Sequence, residues 1–136
     1  MNNPTLELGA KASRTQTITD EVIQAFADLT GDHNPLHLDN SYAAGTRFGR
    51  RIAHGMLAAS LISATLANDL PGPGTVYLSQ SLQFKAPVYP GDTITATVEV
   101  KALRPGKPLV TLATTCAKQD GTVVLEGEAV VLYSQK

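Results

Sequence analysis

Hydrophobic and polar positions follow two different periods along this chain. Val22, Ile23, Phe26, Ala27 and Leu29 recur at helical spacing. Thr19 precedes them as an N-cap, Asp20 and Glu21 fall in the first turn where negative charge suits the helix dipole, and Gly31 is a natural stop. A second helical run, residues 55–69, is apolar nearly all the way round, which predicts a helix buried within a domain. Leu70-Pro71-Gly72-Pro73-Gly74 ends it. From there the period is two. Val76, Leu78, Leu82 and Phe84 alternate with polar neighbours, as do Ile94, Ala96, Val98, Val100 and Ala102. Residues 109–118 form the next strand, and the last puts Val123, Leu125, Ala129, Val131 and Tyr133 on one face. Residues 5–18 supply an opening strand of modest β character. The connections at 87–92, 104–108 and 119–121 are short, so consecutive strands are antiparallel neighbours. The expectation is an α+β fold, a curved antiparallel sheet wrapped around one long buried helix, in a single domain spanning 1–136.

Composition narrows the function classes. The chain has 136 residues, 43% hydrophobic and 17% charged, with a net charge of −1. That predicts a folded domain with no basic face for nucleic acid, and Arg50-Arg51 is the only adjacent basic pair. Cys116 is the only cysteine, which excludes an internal disulfide, suits a reducing compartment and reads as a buried strand residue. The longest apolar segment, Met56 to Ala67, is interrupted by Ser60, Ser63 and Thr65 and falls short of the roughly 18–20 residues that cross a bilayer. The N-terminus shows no secretory pattern. A cytoplasmic protein without a membrane partner is expected.

The candidate chemistry concentrates between the two helical runs, in Thr30-Gly31-Asp32-His33-Asn34-Pro35-Leu36-His37-Leu38-Asp39. Pro35 lacks the N–H a helix interior needs and biases Asn34 away from helical backbone, so an extended or turned bend is expected there. Two readings fit Asp32 and His37. One is an Asx turn beside a surface histidine. The other is an acid–base pair holding a water, with Asn34 and Pro35 fixing the bend. Asp39 reads as a cap for a short helical turn through Tyr42-Ala43-Ala44. His33 and His37 have the spacing of a helical zinc site, with His54 as a possible third ligand, but Pro35 breaks the helix that would join them and no metal is expected. His54 otherwise reads as a helix-start residue satisfied by backbone. Ser60 and Ser63 lack a nucleophile elbow. They share a helical face with Met56, where one serine either bonds Asp32 or lines a pocket, or each bonds back to its own helix. Gly55 is either a plain N-cap glycine or a helix-start N–H open to a carbonyl or oxyanion.

Three segments in order carry a resemblance: Gly31-Asp32-His33-Asn34-Pro35-Leu36-His37-Leu38-Asp39, then Arg51-Ile52-Ala53-His54-Gly55-Met56-Leu57, then Leu82-Gln83-Phe84-Lys85-Ala86-Pro87-Val88-Tyr89-Pro90-Gly91-Asp92. With them the chain resembles the R-specific enoyl-CoA hydratases of the MaoC-like family, over nearly its whole length. The resemblance implies a hot-dog fold and a homodimer whose sheets join edge to edge. It also implies reversible hydration of trans-2-enoyl-CoA to (R)-3-hydroxyacyl-CoA, of the kind that feeds polyhydroxyalkanoate synthesis. By motif, Asp32 and His37 are the catalytic pair and the Gly55 N–H holds the thioester oxygen. Ser63 and Asn34 join it at the substrate, and Leu66, Phe84 and Val130 line the acyl pocket. The CoA thioester is the substrate, and no cofactor is implied. An acyl-CoA thioesterase, a dehydratase acting on carrier-protein thioesters and a non-catalytic acyl-thioester-binding protein are the rival readings. Arg47, Arg50, Lys85 and Arg104 are equal candidates for the CoA phosphates.

Overall fold

A computed structural model describes residues 6–133 of the chain. The opening strand, β1 (Lys11–Thr17), starts later than the pattern suggested, and Thr5 lies outside the described residues. Thr19 then caps α1 (Asp20–Thr30), its Oγ1 accepting the Val22 N–H at 3.1 Å. Gly31 stops the helix in the left-handed region at φ 81°, its N–H donating to the Ala27 carbonyl at 2.8 Å. Ile23 and Ala27 are fully buried, whereas Leu29 is 84% exposed. Leu29 follows Ala27 by about 200° around a helix of 3.6 residues per turn, so it faces away from the buried stripe.

The bend at Pro35 is itself the start of a helix. α2 (Pro35–Leu38) has Pro35 at its first position, where the missing N–H costs nothing and the fixed φ fits. Asn34 Oδ1 caps it by accepting the Leu36 N–H at 3.0 Å. Asp39 then caps α3 (Asn40–Ala44), its Oδ1 accepting the Tyr42 N–H at 3.1 Å. The apolar helix α4 (Gly55–Asn68) buries Leu57, Ala58, Ala59, Leu61, Ile62, Thr65 and Leu66. Cys116 is fully buried against it, and the Sγ–H donates to the Ala58 carbonyl at 3.4 Å. Burial pushes that thiol up to about 12, so it is no nucleophile. Among the described residues no helix is long and apolar enough to cross a membrane.

The remaining elements are β2 (Val76–Gln80), β3 (Gln83–Phe84), β4 (Thr93–Leu103), β5 (Leu109–Lys118) and β6 (Val123–Leu132). They form one antiparallel sheet in the order β1-β4-β5-β6-β2, with β3 also on β6. Ile94, Ala96, Val98 and Val100 on β4 and Val110, Leu112, Thr114 and Cys116 on β5 are all buried, forming with α4 the core that the hot-dog arrangement requires. Two details depart from simple alternation. The register slips opposite Cys116 and Ala117, so Val124 and Leu125 are both buried and Val123 is displaced from the inner row. The alternating run 76–85 is also two strands, which follow one another along the same edge of β6 with the strand interrupted at Ser81 and Leu82. Ser81 N–H donates to the Glu128 carbonyl and Glu128 N–H to Ser81 Oγ, both at 2.9 Å. Gly127 lies against this interruption, and a Cβ there would stand 1.8 Å from the Ser81 carbonyl oxygen.

The two sheet edges differ. β1 is polar, with hydroxyl pairs Ser13–Thr97, Thr15–Thr95 and Thr17–Thr93 at 2.9, 2.9 and 3.0 Å tying it to β4, and Arg14 paired to Asp69 at 3.0 Å. β2 instead exposes Val76, Tyr77 and Leu78 by 51%, 39% and 52%.

Candidate active site

The αL stop at Gly31 delivers Asp32 directly after α1. Asp32 Oδ1 accepts the Asn34 N–H at 3.3 Å, so the Asx turn does form and turns the chain into α2. One turn later α2 places His37 facing inward, 8% exposed. His37 Nδ1–H donates to the Ile52 carbonyl at 2.7 Å, which fixes the neutral tautomer with its lone pair on Nε2. The segment carrying Ile52 is itself pinned, with Ile52 N–H on the Leu36 carbonyl at 3.3 Å and Ala53 N–H on the Val88 carbonyl at 2.7 Å. Arg51 locks the same corner from outside. Its guanidinium donates to Asn40 Oδ1 at 2.6 Å, Asp20 Oδ1 at 2.9 Å and the His37 carbonyl at 3.4 Å.

His54, 2% exposed, is more deeply involved than a backbone-satisfied histidine. Its Nε2–H does donate to backbone, and the acceptor is the Asp32 carbonyl at 3.0 Å. Its ring also packs on His37, centroids 4.0 Å apart and planes tilted by 32°, and on Phe26 at 4.9 Å. His54 Nδ1 is buried without a partner among the described residues. Asp32, His37 and His54 each place one carboxylate or imidazole atom within 4.8 Å of the others. A metal at about 2.1 Å needs imidazole lone pairs that converge in the ring planes. Two imidazoles packed face to face do not converge, because a point between them lies out of both planes. The geometry suits proton handling instead. Burial lowers the His37 pKa from its ordinary value; the Ile52 carbonyl opposes that shift, the neighbouring His54 adds to it, and the Asp32 carboxylate opposes it. His33 is not part of the group, since its Nε2 meets Asp28 at 3.3 Å in solvent.

Gly55 begins α4 beside this cluster, and its N–H makes no hydrogen bond among the described residues. The absence of a side chain matters here: a Cβ would come within 2.8 Å of the Phe84 ring. His37, Gly55 and Phe84 line one cavity of about 290 Å³, floored by Ala58, Val124 and Leu125. A second, larger cavity of about 550 Å³ lies on the other side of α4, against Phe26, Thr30, Met56, Ser60, Ser63 and Leu78.

The expected site residues are therefore distributed. Asp32, His37 and Gly55 come together, although Asp32 is exposed and lines neither cavity. Ser63 shares a face with Met56 and Ser60 as the helical spacing suggested, but that face lines the second cavity and not the one at Gly55. Ser60 bonds back to the Leu57 carbonyl at 2.6 Å. Asn34 stands beside the site with its side-chain oxygen engaged as the α2 cap. Phe84 lines the first cavity, while Leu66 is 1% exposed within the core and lines neither. Val130 alternates with the buried Ala129 and Val131 and so points to the sheet face away from α4. The pattern gave no warning of the Ile52 carbonyl, because a backbone acceptor has no residue signature. The His54-Gly55 pair at a helix start was the visible trace of the packed imidazoles.

Comparison with known proteins places this geometry in a family. Residues 2–121 match the MaoC like domain. The chain is 51% identical to the "(R)-specific enoyl-CoA hydratase" of Aeromonas caviae, covering 96% of this chain and 98% of that protein. It is 48% identical to the "3-hydroxybutyryl-CoA dehydratase" of Methylorubrum extorquens, over 96% of this chain and 83% of that one. Among solved structures, the (R)-hydratase from A. caviae involved in PHA biosynthesis superimposes with a TM-score of 0.92 at 51% identity, covering 96% of this chain and 98% of that one. With the sheet wrapped on α4, the Asp32–His37 pair at its N-terminus and these matches over nearly the full length, the chain belongs to the MaoC-like family of hot-dog proteins.

Proposed function

We propose that the protein hydrates trans-2-enoyl-CoA to (R)-3-hydroxyacyl-CoA and catalyses the reverse dehydration. One observation carries the reading. A His37 nitrogen and the Asp32 carboxylate lie no more than 4.8 Å apart, with no direct hydrogen bond between them among the described residues. Two hydrogen bonds of about 2.8 Å meeting at one water span roughly 4.6 Å, so the gap fits a single bridging water. The Ile52 carbonyl holds His37 in the tautomer that can accept a proton at Nε2.

The thioester carbonyl accepts the free Gly55 N–H at the positive end of α4, which draws electron density from the β-carbon. The bridging water adds its oxygen there while its proton passes to His37. The electron pair moves to the thioester oxygen as an enolate. Return of the proton from the same side to the α-carbon yields the alcohol and restores neutral His37. A preorganised oxyanion donor is worth about 3–4 kcal/mol and acid–base assistance roughly 10²–10⁴-fold, so the two effects together are needed. The CoA product chemistry suits supply of R-hydroxyacyl units to polyester synthesis. A second copy is the proposed partner, paired edge to edge through β2, and its exposed Val76, Tyr77 and Leu78 support that surface.

Mixing the protein with crotonyl-CoA is expected to bleach the conjugated enoyl absorbance without releasing free thiol. Thiol release would establish a thioesterase instead, and binding without turnover a carrier. A pH profile tests the base. His37 acts when neutral, and burial lowers its pKa from the ordinary 6.5, so the acid limb of kcat/KM is expected to be centred below pH 6.5. An acid limb centred above 6.5 would remove His37 from that role.

A further inference from the structure

The chain's positive charges differ in what they already hold. Arg14, Arg51 and Lys118 are paired to Asp69, Asp20 and Asp92 at 3.0, 2.9 and 3.2 Å, and Lys11 and Lys101 share Glu99. Arg50 lies 4.0 Å over the Tyr89 ring, outside both cavities of the site. Arg104 and Lys107 line a separate hollow with Leu109 and Val110. That hollow is six residues along β5 from Cys116, the partner of Leu125, and so about 20 Å from the floor of the His37–Gly55 cavity. Two cations do line that cavity, Arg47 and Lys85, and no carboxylate lines it. Arg47 is exposed, with its guanidinium 5.0 Å over the Phe48 ring, and makes no ion pair among the described residues. Lys85 meets only Glu126, at 3.3 Å, with both side chains about half exposed. That contact is weak enough for a better anion to displace.

We propose that Arg47 and Lys85 form the phosphate-recognition point of the site, gripping the phosphates of a coenzyme A thioester at the mouth of the His37–Gly55 cavity. This rests on the acyl-CoA reading above and assigns the specificity for CoA within it. At about 290 Å³ the cavity sits at the small end for ligand sites, so it holds the thioester and leaves the nucleotide outside. The floor residues Ala53, Ala58, Val124 and Leu125 are buried, whereas Arg47 and Lys85 are exposed, so the cations stand where the nucleotide emerges. Phe48 backs the guanidinium and leaves its in-plane N–H groups free for the fork geometry that phosphate oxygens accept.

The test compares crotonyl-CoA with crotonyl-pantetheine, which lacks every phosphate. In Arg47→Gln and Lys85→Gln the ratio of kcat/KM for the two substrates is expected to fall about tenfold each, mainly through KM for the CoA thioester. Arg50→Gln and Arg104→Gln are expected to keep the wild-type ratio. Equal losses on both substrates, or an unchanged ratio, would overturn the assignment. Calorimetric binding of CoA itself needs no turnover, so it separates this proposal from the hydratase reading. There the affinity is expected to drop about tenfold in Arg47→Gln and hold in Arg50→Gln, and equal affinities would overturn the proposal even in an active enzyme.

Discussion

Asp32→Asn and His37→Gln are each expected to lower kcat for crotonyl-CoA hydration by about 10²–10⁴-fold, the range of a lost acid–base partner. The Asn variant isolates charge from shape, because its side-chain oxygen can still accept the Asn34 N–H that Asp32 Oδ1 holds at 3.3 Å. Gln at 37 removes the ring lone pair while offering an amide to the Ile52 carbonyl that His37 holds at 2.7 Å. Neither change should alter the melting temperature by more than a few degrees. Because both groups are proposed to act on one water, the double variant should be little worse than the weaker single, a strongly non-additive result. Turnover within twofold of wild type in both singles would sink the assignment.

Gly127→Ala should damage the fold more than any change at the site. The added Cβ would lie 1.8 Å from the Ser81 carbonyl oxygen and 2.6 Å from its carbon. These are backbone atoms of Ser81, which Glu128 holds through two hydrogen bonds, so no side chain can swing away. Relief requires lifting the β2–β3 junction away from β6, with loss of those hydrogen bonds and of the β3 pairing. A destabilisation of about 3–5 kcal/mol is expected, read as a lowered urea midpoint, or no folded protein at all. Gly45→Ala is the matched control. Its nearest contact is Tyr42 O at 3.6 Å with ordinary helical backbone, so it should move the midpoint by less than about 1 kcal/mol.

The elements that depend on local pattern were legible. Strict alternation located β4, all-round apolarity marked α4 as buried, and Thr19 and Asp39 were readable as caps because capping is decided within three residues. What needed a distant partner was not. Nothing in the alternation of 76–85 says that the strand is interrupted at Ser81 where it presses on its neighbour, although a glycine inside β6 was a hint of close approach. Pro35 was read as a break because it cannot sit inside a helix, yet the same chemistry lets it begin one.

The site was legible to a similar depth. The grouping of Asp32, His37 and Gly55 was expected from the motif resemblance, whereas residue type and spacing alone left a plain Asx turn and a plain N-cap glycine open. Which side of α4 Ser63 would face, and that Leu66 would be sealed in the core while Val130 turned outward, depended on how helix and sheet rotate against each other. Residue type carries no record of that rotation.

The unequal sheet edges bear on how many copies the proposed edge-to-edge pairing would join. A strand edge behaves like a bonding valence. On β1 it is charged and hydroxyl-rich, held to its own neighbour, and unattractive to an incoming strand. On β2 the exposed Val76, Tyr77 and Leu78 make it receptive. A building block with one receptive edge is monovalent. In the proposed pairing, two such blocks related by a twofold axis would satisfy each other and present only inert edges outward, so association is expected to terminate at two copies instead of propagating into a ribbon.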